Sequence, residues 1–572
     1  MGKNIFFDYG IITDPEKFME NRLPAHSSHI CFSEESERLA ERTSLRKCLN
    51  GQWMFKYSEN IAEAPRDFWR EDYDVSAWAQ IRVPAHIQME GYDRPHYTNT
   101  TYPWDGHEEV VPGGIPKRFN PVASYVTFFD LPEDFAGSRT CISFQGSESG
   151  TALWLNGEYV GYFENSFNPA DFDLTPYVRN KGNRLAVQVF KWTASSWCED
   201  QDFFRFSGIF RDVYLYSCPA AHVDDVKVVA EPLEKQSTAG NYDEADLQSC
   251  AGEHRGKISV QLKTTGEGSV DVRVYGPVKG IFFADDTVLT QERLVAFVSC
   301  AAFSVDGDSS GVTRISLPVD GPKLWSTEEP WLYVVYFEVK DKDGNTTEVF
   351  TQNTGFRTFE MKDGLMLLNG KRIVFKGVNR HEFSSVQGRV PCYSDVLTDL
   401  VAMKQNNINA IRTSHYPNAS VIYEDGVWKN GIYELCDILG LYMIAENNME
   451  THGTMEAYER GVRSLEYVLP GDNEKYLGMM LDRVRACYER DKNHPAIIIW
   501  SLGNESFGGS VISRMAALFR ELDPCRLVHY EGIFHDRRYP DSSDMESQMY
   551  PSVSAIEKHL AENPDKPFIC CE

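Results

Sequence analysis

Two apolar runs in this chain each end on a glutamate, and that pairing constrains the fold more than any other feature of the sequence. Ala496-Ile497-Ile498-Ile499-Trp500 leads into Ser501-Leu502-Gly503-Asn504-Glu505, and Pro567-Phe568-Ile569-Cys570-Cys571 leads into Glu572. Short apolar runs of this kind read as buried strands of a parallel sheet. In a (β/α)8 barrel the reacting groups sit at the C-terminal ends of the strands. A carboxylate pair at such a mouth is the minimum equipment for glycoside hydrolysis, one as acid/base and one as nucleophile.

The rest of the chain after residue 358 supports a barrel. Strand-like runs near 373–378, 409–413, 441–446, 496–500, 527–530, 545–549 and 567–571 alternate with helical patterns at 395–406, 475–490, 510–522 and 553–562. Such alternation marks βα units around a parallel sheet. Seven strands are visible where a closed barrel has eight, so residues 358–572 are expected to form an incomplete (β/α)8 TIM barrel.

Upstream the pattern is all-β. Short alternating segments such as 124–129, 152–155 and 185–190, separated by Asn-Gly and Gly-Asn turns, predict a jelly-roll-like β-sandwich over 51–218. A second all-β stretch over 219–357, carrying 225–230 and 331–339, is expected to be an immunoglobulin-like β-sandwich, with 234–256 as a long polar loop. Residues 1–50 read as an irregular arm. A chain of 572 residues needs several cores.

Charge and cysteine usage narrow the setting. Lys+Arg 57 against Asp+Glu 84 gives a net charge of −27, which argues against nucleic acid or an anionic membrane as partner. The 13 cysteines show no CxxC pairs, and Cys141, Cys436 and Cys570 sit inside apolar runs as small buried hydrophobes would. The first residues hold no apolar secretory segment, and no stretch approaches the roughly 20 apolar residues that span a bilayer. A cytoplasmic protein with reduced thiols is expected.

Six of the expected barrel strands run into ionisable and amide groups: Asn379-Arg380-His381-Glu382, Arg412-Thr413-Ser414-His415-Tyr416, Glu446 to His452, Asn504-Glu505, Met549-Tyr550 and Glu572. Any lone histidine here has an ordinary reading as a satisfied hydrogen bonder. Six such ends together are hard to explain by stability, because uncompensated burial of these groups is costly. A catalytic mouth explains them.

The strings GVNRHE, MKQNNINAIRTSHYPN, ENNMETHG, NHPAIIIWSLGNES and KPFICCE resemble the β-galactosidases of glycoside hydrolase family 2, and PKLWSTEEPWLY and EDQDFFRFSGIFRDVYL resemble that family's two preceding β-domains. The resemblance implies Glu505 as acid/base and Glu572 as nucleophile in a retaining reaction, with carboxyl groups about 5–5.5 Å apart. It also implies Asn504 as a contact to the sugar 2-OH, His381 and His415 as mouth histidines that stabilise the transition state, and Tyr550 as the tyrosine near the nucleophile. Glu450, His452 and Glu505 match the family's Mg2+ site, where an imidazole ligand equally admits Mn2+. Asp202 matches a residue of the first β-domain that contacts sugar and Na+.

The substrate so implied is a terminal β-D-galactoside such as lactose. A family-2 β-glucuronidase or β-mannosidase is the nearer alternative, and a non-catalytic fragment or sugar-binding module the more distant one. Two departures from the family pattern stand out. Residues 419–432 lengthen the connection after the second strand, and read as a surface insertion rather than a loop at the active-site rim. The chain also ends on Glu572, so a hydrolase impaired by the missing eighth strand is expected, with a homo-oligomer or a complementing C-terminal chain as candidate partner.

Overall fold

The computed structural model describes residues 7–233, 255–280, 289–304, 311–563 and 565–572. Most of the expected 234–256 loop lies outside these residues; its last two begin the strand Arg255–Thr265.

The first β-domain stacks a seven-stranded sheet on a four-stranded one. Val122–Phe129 lies antiparallel between Gly51–Ser58 and Asn183–Phe190 in the larger sheet. Arg46–Cys48, from the segment read as an arm, pairs with Val213–Cys218 in the smaller one. Trp53, Phe55, Tyr125, Ile142, Phe144 and Leu153 fill the space between the sheets. The second β-domain stacks a three-stranded sheet on a four-stranded one. Buried and half-buried residues alternate along Arg255–Thr265, the mark of a strand with one face on the core.

The third region contains the barrel strands β1 (Gly377–Arg380), β2 (Ala410–Thr413), β3 (Tyr442–Glu446), β4 (Ile497–Ser501), β5 (Leu527–His529), β6 (Glu546–Gln548) and β7 (Phe568–Cys570). β1 to β5 form one parallel sheet in chain order, and β6 pairs in parallel with β7. Asn379 Nδ2 on β1 donates to the Cys571 carbonyl beyond β7 at 2.8 Å, which links the two flanks of the mouth. Every residue of β4 is buried, as an apolar run covered on both faces requires.

The helices α1 (Tyr393–Gln405), α2 (Ile432–Leu439), α3 (His452–Glu459), α4 (Leu477–Asp491), α5 (Ser510–Leu522) and α6 (Val553–Glu562) follow the strands. α2 and α3 were not evident in the sequence pattern. Ser552 caps α6 by accepting from Ala555 N at 3.2 Å. No helix among the described residues is long and apolar enough to cross a membrane.

Two sequence expectations need correction. Residues 421–430 are not a surface insertion. They form a hairpin, Val421–Glu424 against Val427–Asn430, that turns on Asp425-Gly426, both at positive φ. Val421, Ile422 and Trp428 are buried, and the Trp428 ring lies 4.8 Å from that of Tyr214 in the first β-domain. The Tyr423 amide donates to Asp212 Oδ2 at 2.9 Å, so the hairpin fastens barrel to sandwich. Cys570 is exposed, unlike Cys141 and Cys436; alternation along β7 turns Cys571 inward instead.

Candidate active site

The mouth is organised around Arg412, a charged side chain in a strand buried on both faces. Its Nε donates to Glu446 Oε2 at 2.6 Å, its Nη1 to Glu572 Oε1 at 2.8 Å and to Asn379 Oδ1 at 3.1 Å, and its Nη2 to Asn504 Oδ1 at 2.9 Å. One guanidinium therefore holds groups from β1 and β3 and from the segments that follow β4 and β7, the planar fork matching several acceptors at once. Glu446 is buried, which alone would raise its pKa. The Arg412 charge and the His415 hydrogen bond overcome this and hold its carboxyl down at about 2.

Glu572 receives donors on both oxygens. Oε1 lies 3.3 Å from His415 Nε2 besides Arg412, and Oε2 accepts from Tyr550 Oη at 3.1 Å. His415 is oriented through Nδ1, 2.8 Å from Glu446 Oε1. His381 stands edge-on to His415 with ring centroids 5.4 Å apart, and burial, with the neighbouring imidazole, lowers its pKa. The Tyr550 phenol is raised by the Glu572 charge, with Glu505 adding to the effect. The structure thus brings His381, His415, Tyr550 and Glu572 together.

Glu505 is tied to the same network through Asn504. Asn504 Nδ2 donates to Glu450 Oε2 at 3.0 Å and to Glu505 Oε2 at 3.3 Å while its carbonyl end takes Arg412. Both ends of the amide are engaged by protein. The turn that delivers these residues requires glycine: Gly503 has φ +146°, and a Cβ there would lie 2.3 Å from the Met449 carbonyl oxygen.

Glu450, His452 and Glu505 offer ligand atoms that all lie within 4.8 Å of one another. His452 Nδ1 is 2.9 Å from Glu505 Oε2 and 3.9 Å from Glu450 Oε1. Glu450 is fully buried, and its Oε1 has no hydrogen-bond partner among the described residues. Burial, reinforced by the Glu505 charge, pushes the Glu450 carboxyl well above its ordinary range. An orphaned buried oxygen beside a second carboxylate and an imidazole is a donor set that fits a divalent cation.

The first β-domain holds this corner in place. Glu199 forms a β-bridge with Glu450, the Glu450 amide donates to the Cys198 carbonyl at 3.0 Å, and the Asp200 amide returns a bond to the Glu450 carbonyl at 3.1 Å. Asn448 Nδ2 donates to Glu199 Oε1 at 2.7 Å and the Gly453 amide to Asp200 Oδ2 at 2.9 Å. Gln201 Nε2 reaches the His415 carbonyl at 3.2 Å. Asp202, next along, is exposed and accepts from Tyr97 Oη. The described residues place no group of three His, Cys, Asp or Glu ligands around it.

Sequence reasoning assigned no role to Arg412, Glu446 or Glu531. Glu531 is 2% exposed, two residues beyond the end of β5, with Oε1 lacking any partner among the described residues. Burial pushes its carboxyl up to about 8; Arg412 opposes this, and the charges of Glu505, Glu446 and Glu572 add to it. The available signals were a third glutamate just past a strand end and an arginine inside a buried strand.

A barrel with two glutamates at its mouth and two β-sandwiches ahead of it defines a class of glycoside-cleaving scaffold. The description "Glycosyl hydrolases family 2, TIM barrel domain" matches residues 359–572, "Glycosyl hydrolases family 2, sugar binding domain" matches 46–219, and "Glycosyl hydrolases family 2" matches 245–357. A beta-galactosidase of Halalkalibacterium halodurans is 44% identical over 98% of this chain and 51% of its own length. A beta-galactosidase large subunit of Leuconostoc lactis is 40% identical over 98% of this chain and 84% of its own. The chain belongs to glycosyl hydrolase family 2. It spans about half the length of several curated relatives it matches. Among solved structures, a beta-glucuronidase of Bacteroides uniformis superimposes with a TM-score of 0.68 at 19% identity, covering 91% of this chain and 58% of that one; this likeness concerns the fold alone.

Proposed function

We propose that the protein hydrolyses terminal β-D-galactosides with retention of configuration, using Glu572 as nucleophile and Glu505 as acid/base. The observation that carries this reading is the Arg412 guanidinium, which spans Glu572 and Asn504, the residue bonded to Glu505. In the first step the Glu572 carboxylate attacks the anomeric carbon while Glu505 protonates the departing oxygen. In the second, Glu505 takes a proton from water, which then attacks and frees the sugar. Arg412, His415 and Tyr550 fix the rotamer of Glu572, and small displacements from such a geometry cost on the order of 100-fold in rate. We assign a divalent cation, Mg2+ or Mn2+, to Glu450, His452 and Glu505. When bound there it supplies positive charge beside the acid/base and fixes its orientation.

The galactosidase reading rests on the names of relatives about 40% identical. The glucuronidase alternative has only fold likeness behind it. Relatives that carry the name "large subunit" support a second chain as partner. A panel of nitrophenyl glycosides, assayed on the chain alone and with the small subunit of such a relative, tests both points. Release from the β-galactoside well above the β-glucuronide and β-mannoside is expected. Preference for the glucuronide, or no release under either condition, would contradict the proposal.

A further inference from the structure

Glu505 follows β4, and the loops after β3 and β5 meet over the chain just beyond it. α3, in the segment after β3, opens with His452 and ends with Glu459. Seven residues are two turns of helix, so these two positions share one face about 10 Å apart along the axis. His535, in the loop after β5, brings Nδ1 to 2.5 Å from Glu459 Oε1. Phe507, two residues beyond Glu505, packs beneath this contact. Its ring lies 4.9 Å from that of Tyr458 on α3 and 6.4 Å from that of His535. The charges of His452 and Glu505 both act on the His535 imidazole.

No step of the hydrolysis uses this imidazole. Among the described residues its Nδ1 meets Glu459, while its Nε2 meets no hydrogen-bond partner. The side chain is 15% exposed, so it stands at the rim and not in the core. The Phe534 ring lies against it with centroids 4.0 Å apart, so phenyl and carboxylate together fix the orientation of the imidazole. Burial lowers the His535 pKa against the pull of Glu459, and the ring is neutral. A neutral ring that donates through Nδ1 to a carboxylate presents Nε2 as an acceptor.

The acid/base of a glycosidase meets the oxygen of the leaving group, so a leaving sugar lies on the Glu505 side of the mouth. His535 stands on that side. We propose that His535, oriented by Glu459, binds the leaving-group sugar of a disaccharide β-galactoside, its Nε2 accepting a hydrogen bond from one of that sugar's hydroxyls. The inference rests on the reading of Glu505 as acid/base, and it narrows the substrate class to galactosides whose leaving group carries such a hydroxyl. A polar group built to meet a substrate hydroxyl discriminates against an analogue that lacks it. Glu459 is a positioning residue: it sets the tautomer and the ring plane without touching the sugar.

The ratio of kcat/KM on lactose to that on methyl β-galactoside, measured with a partner subunit if activity requires one, tests the site. His535→Phe is expected to lower this ratio by about 5- to 10-fold, the scale of one neutral hydrogen bond. His535→Gln, whose amide oxygen can accept, should recover most of it, and Glu459→Ala should lower it in the same direction as His535→Phe. A mere clasp between loops would slow both substrates alike, so an unchanged ratio in His535→Phe would overturn the proposal. Should that variant not fold, wild-type protein with lactose analogues deoxygenated at single glucose hydroxyls serves instead. One analogue should lose about 5- to 10-fold in kcat/KM, and uniform values across the series would overturn the proposal. Wild-type protein that cleaves neither galactoside would refute the hydrolase reading itself, whereas cleavage of both with an unmoved ratio would refute His535 alone.

Discussion

Arg412 and Glu572 form an ion pair at 2.8 Å in which the same guanidinium also holds Glu446 at 2.6 Å and Asn504 at 2.9 Å. Its fork geometry carries the argument, because an ammonium is a point charge and cannot bridge these acceptors at fixed angles. Arg412→Lys is therefore expected to lower kcat on a nitrophenyl β-galactoside by about 100-fold or more. Arg412→Ala should also destabilise the fold by about 3–5 kcal/mol, since Glu446 would remain buried without its partner. Steady-state kinetics with a urea melt checks both; a lysine variant with wild-type kcat would remove Arg412 from the mechanism.

The proposed acid/base role of Glu505 predicts a dependence on leaving group. Glu505→Gln should slow hydrolysis of lactose, whose leaving alcohol needs protonation, far more than cleavage of an activated dinitrophenyl galactoside. A loss on the order of 100-fold or more separates the two substrates if general acid catalysis is removed. Equal loss on both would assign Glu505 another task.

The orphaned Glu450 Oε1 and its neighbours His452 and Glu505 predict metal dependence at the mouth. Chelation should reduce activity, with Mg2+ or Mn2+ restoring it. In His452→Ala the restoring concentration should rise by roughly 10-fold or more, as loss of a ligand implies. Activity indifferent to chelator in the wild type would contradict a functional ion there.

Glu531 predicts a pH dependence of stability. Its folded pKa stands at about 8, above the ordinary carboxylate value. The folded state thus holds a proton that the unfolded chain has already released. The contribution is fully present below the ordinary carboxylate range, and is lost progressively as pH rises towards about 8. Glu531→Gln removes this loss. Its melting temperature relative to wild type should therefore climb between pH 5 and 8 and level off above. A constant difference across that range would show that Glu531 is ionised in the folded protein.

The 421–430 hairpin predicts a purely structural variant. Trp428 is buried against Tyr214 and Tyr423, with the Arg46 guanidinium over its ring. Trp428→Ala should cost about 3–5 kcal/mol, as for other buried large-to-small changes. The kcat of the folded fraction should stay near wild type. Little change in stability would mean the hairpin does not fasten the barrel to the first β-domain.

Much of this architecture was legible because barrel strands and strand-end carboxylates leave local patterns. β4 announces itself through Ile497-Ile498-Ile499-Trp500, and the glutamates that end such runs are visible without a structure. Arg412 was harder to read, since its partners come from β1, β3 and the segments after β4 and β7, and no local pattern joins them. The 421–430 hairpin was misjudged although Asp425-Gly426 between apolar segments is a strong hairpin signal. What hid it was the partner surface, Tyr214 and Asp212, some 200 positions away in another domain. The same holds for the bridge between Glu199 and Glu450, which holds the Glu450 corner of the mouth from outside the barrel.

The assignment of Glu572 as nucleophile is tested most directly by trapping the glycosyl-enzyme. The protein, with its partner subunit if activity requires one, would be incubated with an activated 2-deoxy-2-fluoro-β-galactoside, digested, and its peptides sequenced by mass spectrometry. The account predicts one fluorogalactosyl adduct per chain, on the Glu572 carboxyl, absent from Glu572→Gln. An adduct on Glu446, Glu505 or Glu531, or turnover with no covalent intermediate and inverted configuration, would contradict it.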